Sequence, residues 1–385
     1  MRLFSHRDDL PSFMNDLQKK QVALLHGAGY AGGELIRLLG AHPGVALTAV
    51  TSRSHAGQPV WKAHPSLRGQ TDLVFVEEAA AALPPADALV TAAAHGESAR
   101  ELPPLLAGRF EGAVVDLSAD FRLNDPAHYQ TWHDDPHPAP ALLETFAYGL
   151  PEVRAPYAPG TRRVANPGCF ATAVALALWP LAQHWPSSAP FQPAVTALTG
   201  ASGSGAQPSA ATHFPDRAGN VRAYKVLAHQ HEPEILDVMG RPAEMAFTPA
   251  SGPWTRGIWG TAHLLLPDGY AEDDVNRWFA ESYDAAPFVR CSPGALPELR
   301  HAARTPFCDL GWQVEGAKLV VGFALDNLLK GAASQAVQNL NRLMDLPEAM
   351  GLLPQNGGPQ MAGGGPSRRK QAGNPTSAHA ADAAA

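Results

Sequence analysis

The chain has 385 residues, 45% of them apolar, which is enough for two ordinary hydrophobic cores. Its 29 basic residues against 36 acidic ones leave a formal charge of −7, and no basic run in the main body could follow a phosphodiester backbone, so nucleic acid is not an expected partner. Three cysteines, Cys169, Cys291 and Cys308, support neither a disulfide framework nor a cysteine-rich zinc site.

Residues 1–20 read as an extension, charged throughout and without the apolar core of a signal peptide; no later stretch has spanning length, so a soluble cytoplasmic protein is expected. "QVALLHGAGYAGGELIRLLGAHP" then passes from a short apolar run through a glycine turn into Leu35, Leu38 and Leu39 at helical spacing. "VALTAVTSR", "ADALVTAAAHG" and "GAVVDLSADF" repeat the pattern of an apolar strand ending in small or polar residues. The class is therefore α/β, with a Rossmann-type parallel sheet over about residues 21–168. A helix "FATAVALALW", ended by Pro180, opens a mixed α+β region over 169–326, with strands in "FQPAVTALTG", "GTAHLLLP" and "KLVVGFAL" and a helix in "EDDVNRWFAESYDA". A further helix spans about 327–346. Residues 355–385, rich in Gly, Pro and Ala, cannot bury enough surface to order themselves and are expected to be disordered.

Chemistry concentrates at a few places. In "HGAGYAGGE", Gly27, Gly29 and Gly32 form G-x-G-x-x-G between a strand and a helix, so Gly27, Ala28, Gly29, Tyr30, Ala31 and Gly32 are candidates to cradle a dinucleotide pyrophosphate. Ser52 and Arg53 stand after the second strand, where an NAD site would carry an acid; an Arg beside hydroxyls suits a 2′-phosphate and points to NADP. Cys169 follows Asn-Pro-Gly at a helix N-terminus, where unpaired amides and the helix dipole would lower its pKa and make it a nucleophile, the alternative being a small buried thiol. Cys291 and Cys308 lack that setting and read as packing residues. His229 and His231, just before a helix and expected on an extended segment, could serve the thiol as proton partners. No third ligand joins them, so no metal is expected. Ser202 and Gly203 lie in a Gly/Ser loop that could hold an anion or be a plain loop. Arg122 could grip a substrate carboxylate or phosphate, or pair with Asp120 or Asp125.

Together "GYAGGELIRLL", "VTSRSHAGQPV", "VVDLSADFRL", "YGLPE", "VANPGCFAT", "GASGSGA", "HQHEPEI", "FCDLG" and "DNLLKGAASQAVQN", in that order from about Val22 to about Leu353, resemble the N-acetyl-gamma-glutamyl-phosphate reductases of arginine biosynthesis. The resemblance implies a fold like that of aspartate-semialdehyde dehydrogenase, with the late helix completing the NADP-binding domain and the second domain forming a homo-oligomer, a dimer or tetramer. It implies that Cys169 is the nucleophile, that His229 is the acid/base and that Asn327 approaches the nicotinamide. Arg122, Ser202, Gly203 and Arg256, the last in the "RGI" stretch, are expected to bind the substrate, the Gly/Ser loop and the Arg residues holding its departing phosphate. The implied reaction is NADPH-dependent reduction of the acyl phosphate to N-acetylglutamate 5-semialdehyde through a cysteine thioester. His26 before the glycines, Gln230 and Glu232 between and after the histidines, and "TAAAHG" depart from the family's usual residues. Two alternatives stay open: the related reductase of a carrier-protein-linked aminoadipyl phosphate in lysine biosynthesis, and a non-catalytic NADP-binding redox sensor.

Overall fold

The computed structural model describes residues 18–354, apart from 78–82, 108–109, 133–134 and 155–156; residues 1–17 of the extension and the whole 355–385 tail lie outside the described residues. Two seven-stranded sheets organise the chain. The first comprises β1 (Lys20–Leu25), β2 (Val45–Thr51), β3 (Phe75–Val76), β4 (Ala88–Thr91), β5 (Ala113–Asp116), β6 (Ala147–Tyr148) and β7 (Arg163–Ala165). All its pairings are parallel, in the order β3-β2-β1-β4-β5-β7-β6. The order reverses between β1 and β4, which opens a crevice at the carboxyl ends of those two strands. Val22, Ala23 and Leu24 are fully buried, because a parallel strand covered on both faces needs an unbroken apolar run.

The second sheet is mixed in strand direction and, with its helices, makes the α+β region expected. It contains β8 (Ala194–Thr199), β9 (Arg222–Ala223), β10 (Ala246–Ser251), β11 (Ile258–Leu265), β12 (Val289–Pro293), β13 (Cys308–Glu315) and β14 (Lys318–Leu325), in the order β12-β13-β14-β11-β8-β10-β9. Strands β8 and β10, and β12 and β13, run parallel; the remaining neighbours are antiparallel.

Of the helices of eight or more residues, α1 (Tyr30–Gly40) and α2 (Ser98–Leu106) follow β1 and β4; α3 (Cys169–His184), α4 (Glu232–Met239) and α5 (Glu272–Tyr283) belong with the second sheet, and α6 (Ser334–Leu343) comes last. Helix α3 is buried at every position from Phe170 to Leu178, as an apolar helix without a polar face must be. It packs on β11 and β14 and against α4 and α5. Pro180 does not end it, contrary to expectation. Proline removes the N–H that would bond the carbonyl of Leu176, and the Tyr283 hydroxyl donates to that carbonyl instead at 2.7 Å, so the helix continues to His184.

The segment after β14 enters helix through a π-turn, Leu329–Ala333, before α6. Ala333, Ala336, Val337 and Leu340 then join the core around Val22, Leu35 and Val115, so the late helix returns to the first sheet. Its polar side is equally anchored. Gln335 and Asn339 donate to the carbonyl of Gly149 at 3.1 and 2.9 Å, and Lys330 meets Glu152 at 2.5 Å with both side chains 1% exposed. Among the described residues no helix is long and apolar enough to cross a membrane.

Candidate active site

The glycine turn is built as the spacing requires. A Cβ on Gly27 would collide with Val50, and one on Gly32 would strike the carbonyl of Gly27, so the turn closes only with glycine at both. At Gly29, the N-cap of α1, a Cβ would meet nothing within 4 Å, because that position faces open space. Gly29, Tyr30, Ala31 and Gly32 line a cleft of about 490 Å³, with Gly27 and Ala28 forming the turn behind them. Free amides at a helix N-terminus beside open space fit a dinucleotide pyrophosphate. Ser52 is buried just past β2; Arg53, 61% exposed on its side chain, forms an ion pair with Glu97.

Cys169 is the first residue of α3, after the N-cap Gly168. The turn that delivers it is pinned on both sides of Pro167. Arg122 donates through Nε to the carbonyl of Asn166 at 2.9 Å and through Nη2 to that of Leu117 at 2.7 Å, while its Nη1 meets Glu234 at 3.1 Å. Glu234 in turn accepts from the N–H of Gly168 and from the Tyr148 hydroxyl, each at 3.0 Å. Arg122 thus pairs with neither Asp120 nor Asp125; it lines the cleft while one donor from each of its three nitrogens goes to the scaffold. The π-turn closes the other flank: a Cβ on Gly331 would come within 2.8 Å of the Cys169 Cβ.

The thiol's ionisation differs from the sequence expectation. Burial pushes it up to about 11; the Arg122 charge and the backbone amides of Phe170 and Cys169 pull it down, as a helix N-terminus should, but by less. To act as a nucleophile at neutral pH such a thiol would need a neighbouring base.

Two imidazoles share the cleft with it. His229 and His231 lie in a turn before α4, not on an extended segment, and their ring centroids are 4.7 Å apart. The N–H of His231 donates to His229 Nδ1 at 3.1 Å, which leaves the proton of the neutral His229 ring on Nε2. Burial, then the neighbouring His231 and Lys225, lowers His229 to about 3; burial, then Arg122 and Lys225, holds His231 well below its ordinary value. Both rings are neutral at physiological pH. His231 packs so tightly on Gly168 that a Cβ there would run into the ring.

Ser202 and Gly203 also line the cleft, in a short 3₁₀ turn, Ala201–Ser204. Asn327 locks that turn: its Nδ2 donates to Ser202 Oγ at 3.0 Å and its Oδ1 accepts from the N–H of Gly257 at 2.6 Å. Arg256 lies outside the cleft lining, held by Asp326 at 2.8 Å and Glu34 at 2.6 Å, where it ties the second sheet's loops to α1. Cys308 is buried in β13, but Cys291 is exposed on the outermost strand, β12, and is not a packing residue. Among the described residues no three His, Cys, Asp or Glu side chains are placed to hold a metal ion.

Sequence reasoning missed Glu234, Tyr148, Gly331 and Lys225. A glycine inside an otherwise helical run signalled Gly331, and Lys225 lies in the "YKV" stretch that the family resemblance includes.

Comparison with known proteins accords with this geometry. Residues 21–158 match the family described as semialdehyde dehydrogenase, NAD binding domain, and residues 169–327 the semialdehyde dehydrogenase dimerisation domain. The N-acetyl-gamma-glutamyl-phosphate reductase of Desulforudis audaxviator is 41% identical over 347 residues, covering 86% of this chain and 98% of that protein. The [LysW]-L-2-aminoadipate 6-phosphate reductase of Deinococcus radiodurans is 40% identical over 343 residues, covering 87% and 97%. Among solved structures, aspartate semialdehyde dehydrogenase II of Vibrio cholerae, complexed with ASA, shares the fold with a TM-score of 0.64 at 16% identity, over 85% of this chain and 99% of that one. The aspartate semialdehyde dehydrogenase of Candida albicans, solved with NADP, does so with a TM-score of 0.63 at 15% identity, over the same shares. This chain belongs to the semialdehyde dehydrogenase family of oxidoreductases, on the branch that holds the N-acetyl-gamma-glutamyl-phosphate reductases and their LysW-linked counterparts.

Proposed function

We propose that the protein reduces N-acetyl-gamma-glutamyl phosphate to N-acetylglutamate 5-semialdehyde and phosphate with NADPH, in arginine biosynthesis, through a thioester on Cys169. The observation that carries this reading is one cleft holding the glycine-turn helix, the Cys169 helix and two neutral imidazoles. A bound nicotinamide supplies the hydride, on a dinucleotide held by Gly27, Ala28, Gly29, Tyr30, Ala31 and Gly32, with Ser52 and Arg53 toward the 2′-phosphate and Asn327 toward the nicotinamide. Cys169 gives up its proton to His231, the neutral ring beside Gly168, as its sulfur bonds the acyl carbon and the bond from that carbon to the bridging oxygen breaks, releasing phosphate. His229, with its proton on Nε2, donates a hydrogen bond to the oxyanion that forms when the thioester is reduced; collapse then expels the sulfur, which recovers its proton from His231, and releases the aldehyde. Lys225, a cleft-lining ammonium whose hydrogen bond goes to the neutral Gln230 at 2.8 Å, receives the substrate's anionic groups together with Ser202, Gly203 and the cleft-lining Arg122, whereas Arg256 lies outside the lining, paired with Asp326 and Glu34.

The protein works in this reading as a cytoplasmic homo-oligomer, a dimer or tetramer built on the second sheet. The expected result is phosphate- or arsenate-dependent reduction of NADP by N-acetylglutamate semialdehyde, abolished in Cys169→Ser; retained turnover in that variant would sink the mechanism. The carrier-linked aminoadipyl phosphate is the second reading, favoured by relatives of equal identity bearing that name, and a side-by-side assay of the two substrates separates them. A redox sensor would bind NADPH without reducing the acyl phosphate, so the same turnover assay decides against it or for it.

A further inference from the structure

The rim of the dinucleotide crevice carries a charge arrangement that the glycine turn does not explain. Glu97 and Glu101, at the start of α2, face the ends of β1 and β2. Glu97 binds Arg53 through Oε1, accepts the N–H of Ala94 on Oε2 at 3.2 Å, and stands 3.8 Å from His26 Nδ1; Glu101 meets His26 Nε2 at 2.6 Å. Ala92 and Ala93, immediately before Ala94, line the cleft itself, so the Glu97 carboxylate stands at its border. Partial burial would raise Glu97, but the Arg53 and Ala94 hydrogen bonds and the Arg53 and His26 charges outweigh it and hold the carboxyl below the usual range, so it is ionised at neutral pH. Arg53, the cation expected to take a 2′-phosphate, is therefore already paired with an acid, Glu97.

We propose that Glu97 is a specificity-determining residue that opposes the 2′-phosphate of the dinucleotide by competing for Arg53 and repelling the incoming dianion. This rests on the NADP reading above, and it makes the preference for phosphorylated over unphosphorylated cofactor a balance between Arg53 and Glu97. The ribose hydroxyls of an unphosphorylated cofactor bring no charge and meet no such opposition. Binding of NADPH and NADH, followed by nicotinamide fluorescence in the full-length wild type, Glu97→Gln and Arg53→Ala, tests it. Glu97→Gln is expected to tighten NADPH roughly three- to tenfold while NADH changes by less than about twofold, and the NADPH gain shrinks in high salt because it is electrostatic. An unchanged or reduced NADPH-to-NADH ratio overturns the proposal, since Glu97 would then be inert or would serve only to orient Arg53. Failure of the underlying reading looks different: Arg53→Ala would leave NADPH binding at the wild-type value. Binding of 2′,5′-ADP against 5′-AMP repeats the comparison without the nicotinamide and must give the same order.

Discussion

Arg122 and Glu234 meet at 3.1 Å, and the two also grip the backbone on opposite sides of Pro167, one at the carbonyl of Asn166 and the other at the N–H of Gly168. One ion pair, drawn from β5's trailing loop and from α4, therefore fixes the turn that carries the cysteine. Its charges also act on the sulfur in opposite senses, Arg122 lowering and Glu234 raising its pKa.

Glu234→Gln is thus expected to do two things. It leaves Arg122 buried and unopposed, at a cost of about 3–5 kcal/mol in stability. It also brings the thiol below its value of about 11, because the raising charge is gone and the lowering one remains. The pH dependence of iodoacetamide alkylation at Cys169 reads the second effect and thermal unfolding the first; an unmoved alkylation profile would show that the pair does not reach the sulfur.

Gly331→Ala places a methyl group 2.8 Å from the Cys169 Cβ, closer than side chains tolerate. Relief must come from moving α3 or the π-turn, for about 1–3 kcal/mol of stability. Turnover should fall at least about tenfold, since displacement of a nucleophile on the order of 1 Å is felt strongly in the rate. Activity assays beside melting curves distinguish a shifted nucleophile from an unfolded chain.

Much of this was legible beforehand, and for physical reasons. Strand-and-helix alternation up to Ala165 and the glycine turn rest on local periodicity and on steric demands that no tertiary context overrides. The position of Cys169 at a helix start was equally local, since Asn-Pro-Gly can do little else. Its pKa was not, because that depends on what covers the sulfur, and burial outweighed the helix amides. The partner of Arg122 lies 112 residues away, beyond any spacing argument, and the passage of α3 through Pro180 needed a hydroxyl donated from Tyr283. Arg256 illustrates the converse: the sequence offered a free cation, and folding spent it on Asp326 and Glu34.

Asp116, at the end of β5, gives a pH signature. It is fully buried; burial raises its carboxyl from the usual 3.8 to about 6, the Ser118 and Ser98 hydroxyls resist, and Asp120 adds to the rise. Between about pH 4 and pH 6 the unfolded chain has lost this proton while the folded one keeps it, so stability declines as pH rises, with a cost of about 3 kcal/mol complete above pH 6. Asp116→Asn can retain bonds to both hydroxyls without a charge. Its melting temperature relative to wild type should therefore improve from about pH 4 to about pH 8; a pH-independent difference would refute the assignment.

The buried Lys330–Glu152 pair anchors the π-turn. Lys330→Met alone leaves a charge with one amide, from Gln338, at 2.9 Å, and should cost about 3–5 kcal/mol. Adding Glu152→Gln removes the stranded charge and should recover much of the loss, so denaturant unfolding of the single and double variants yields a large coupling energy. Additive losses would mean that the two charges are independently solvated.

The return of α6 to the first sheet has a consequence for biogenesis. While a ribosome is still translating the second half, the nascent dinucleotide-binding half has no helix over Val22, Leu35 and Val115, and that apolar surface waits for residues 333–340 to emerge. A chaperone that shields nascent chains has an obvious target there, and Cys169 gains its Gly331 wall only when synthesis has passed that point.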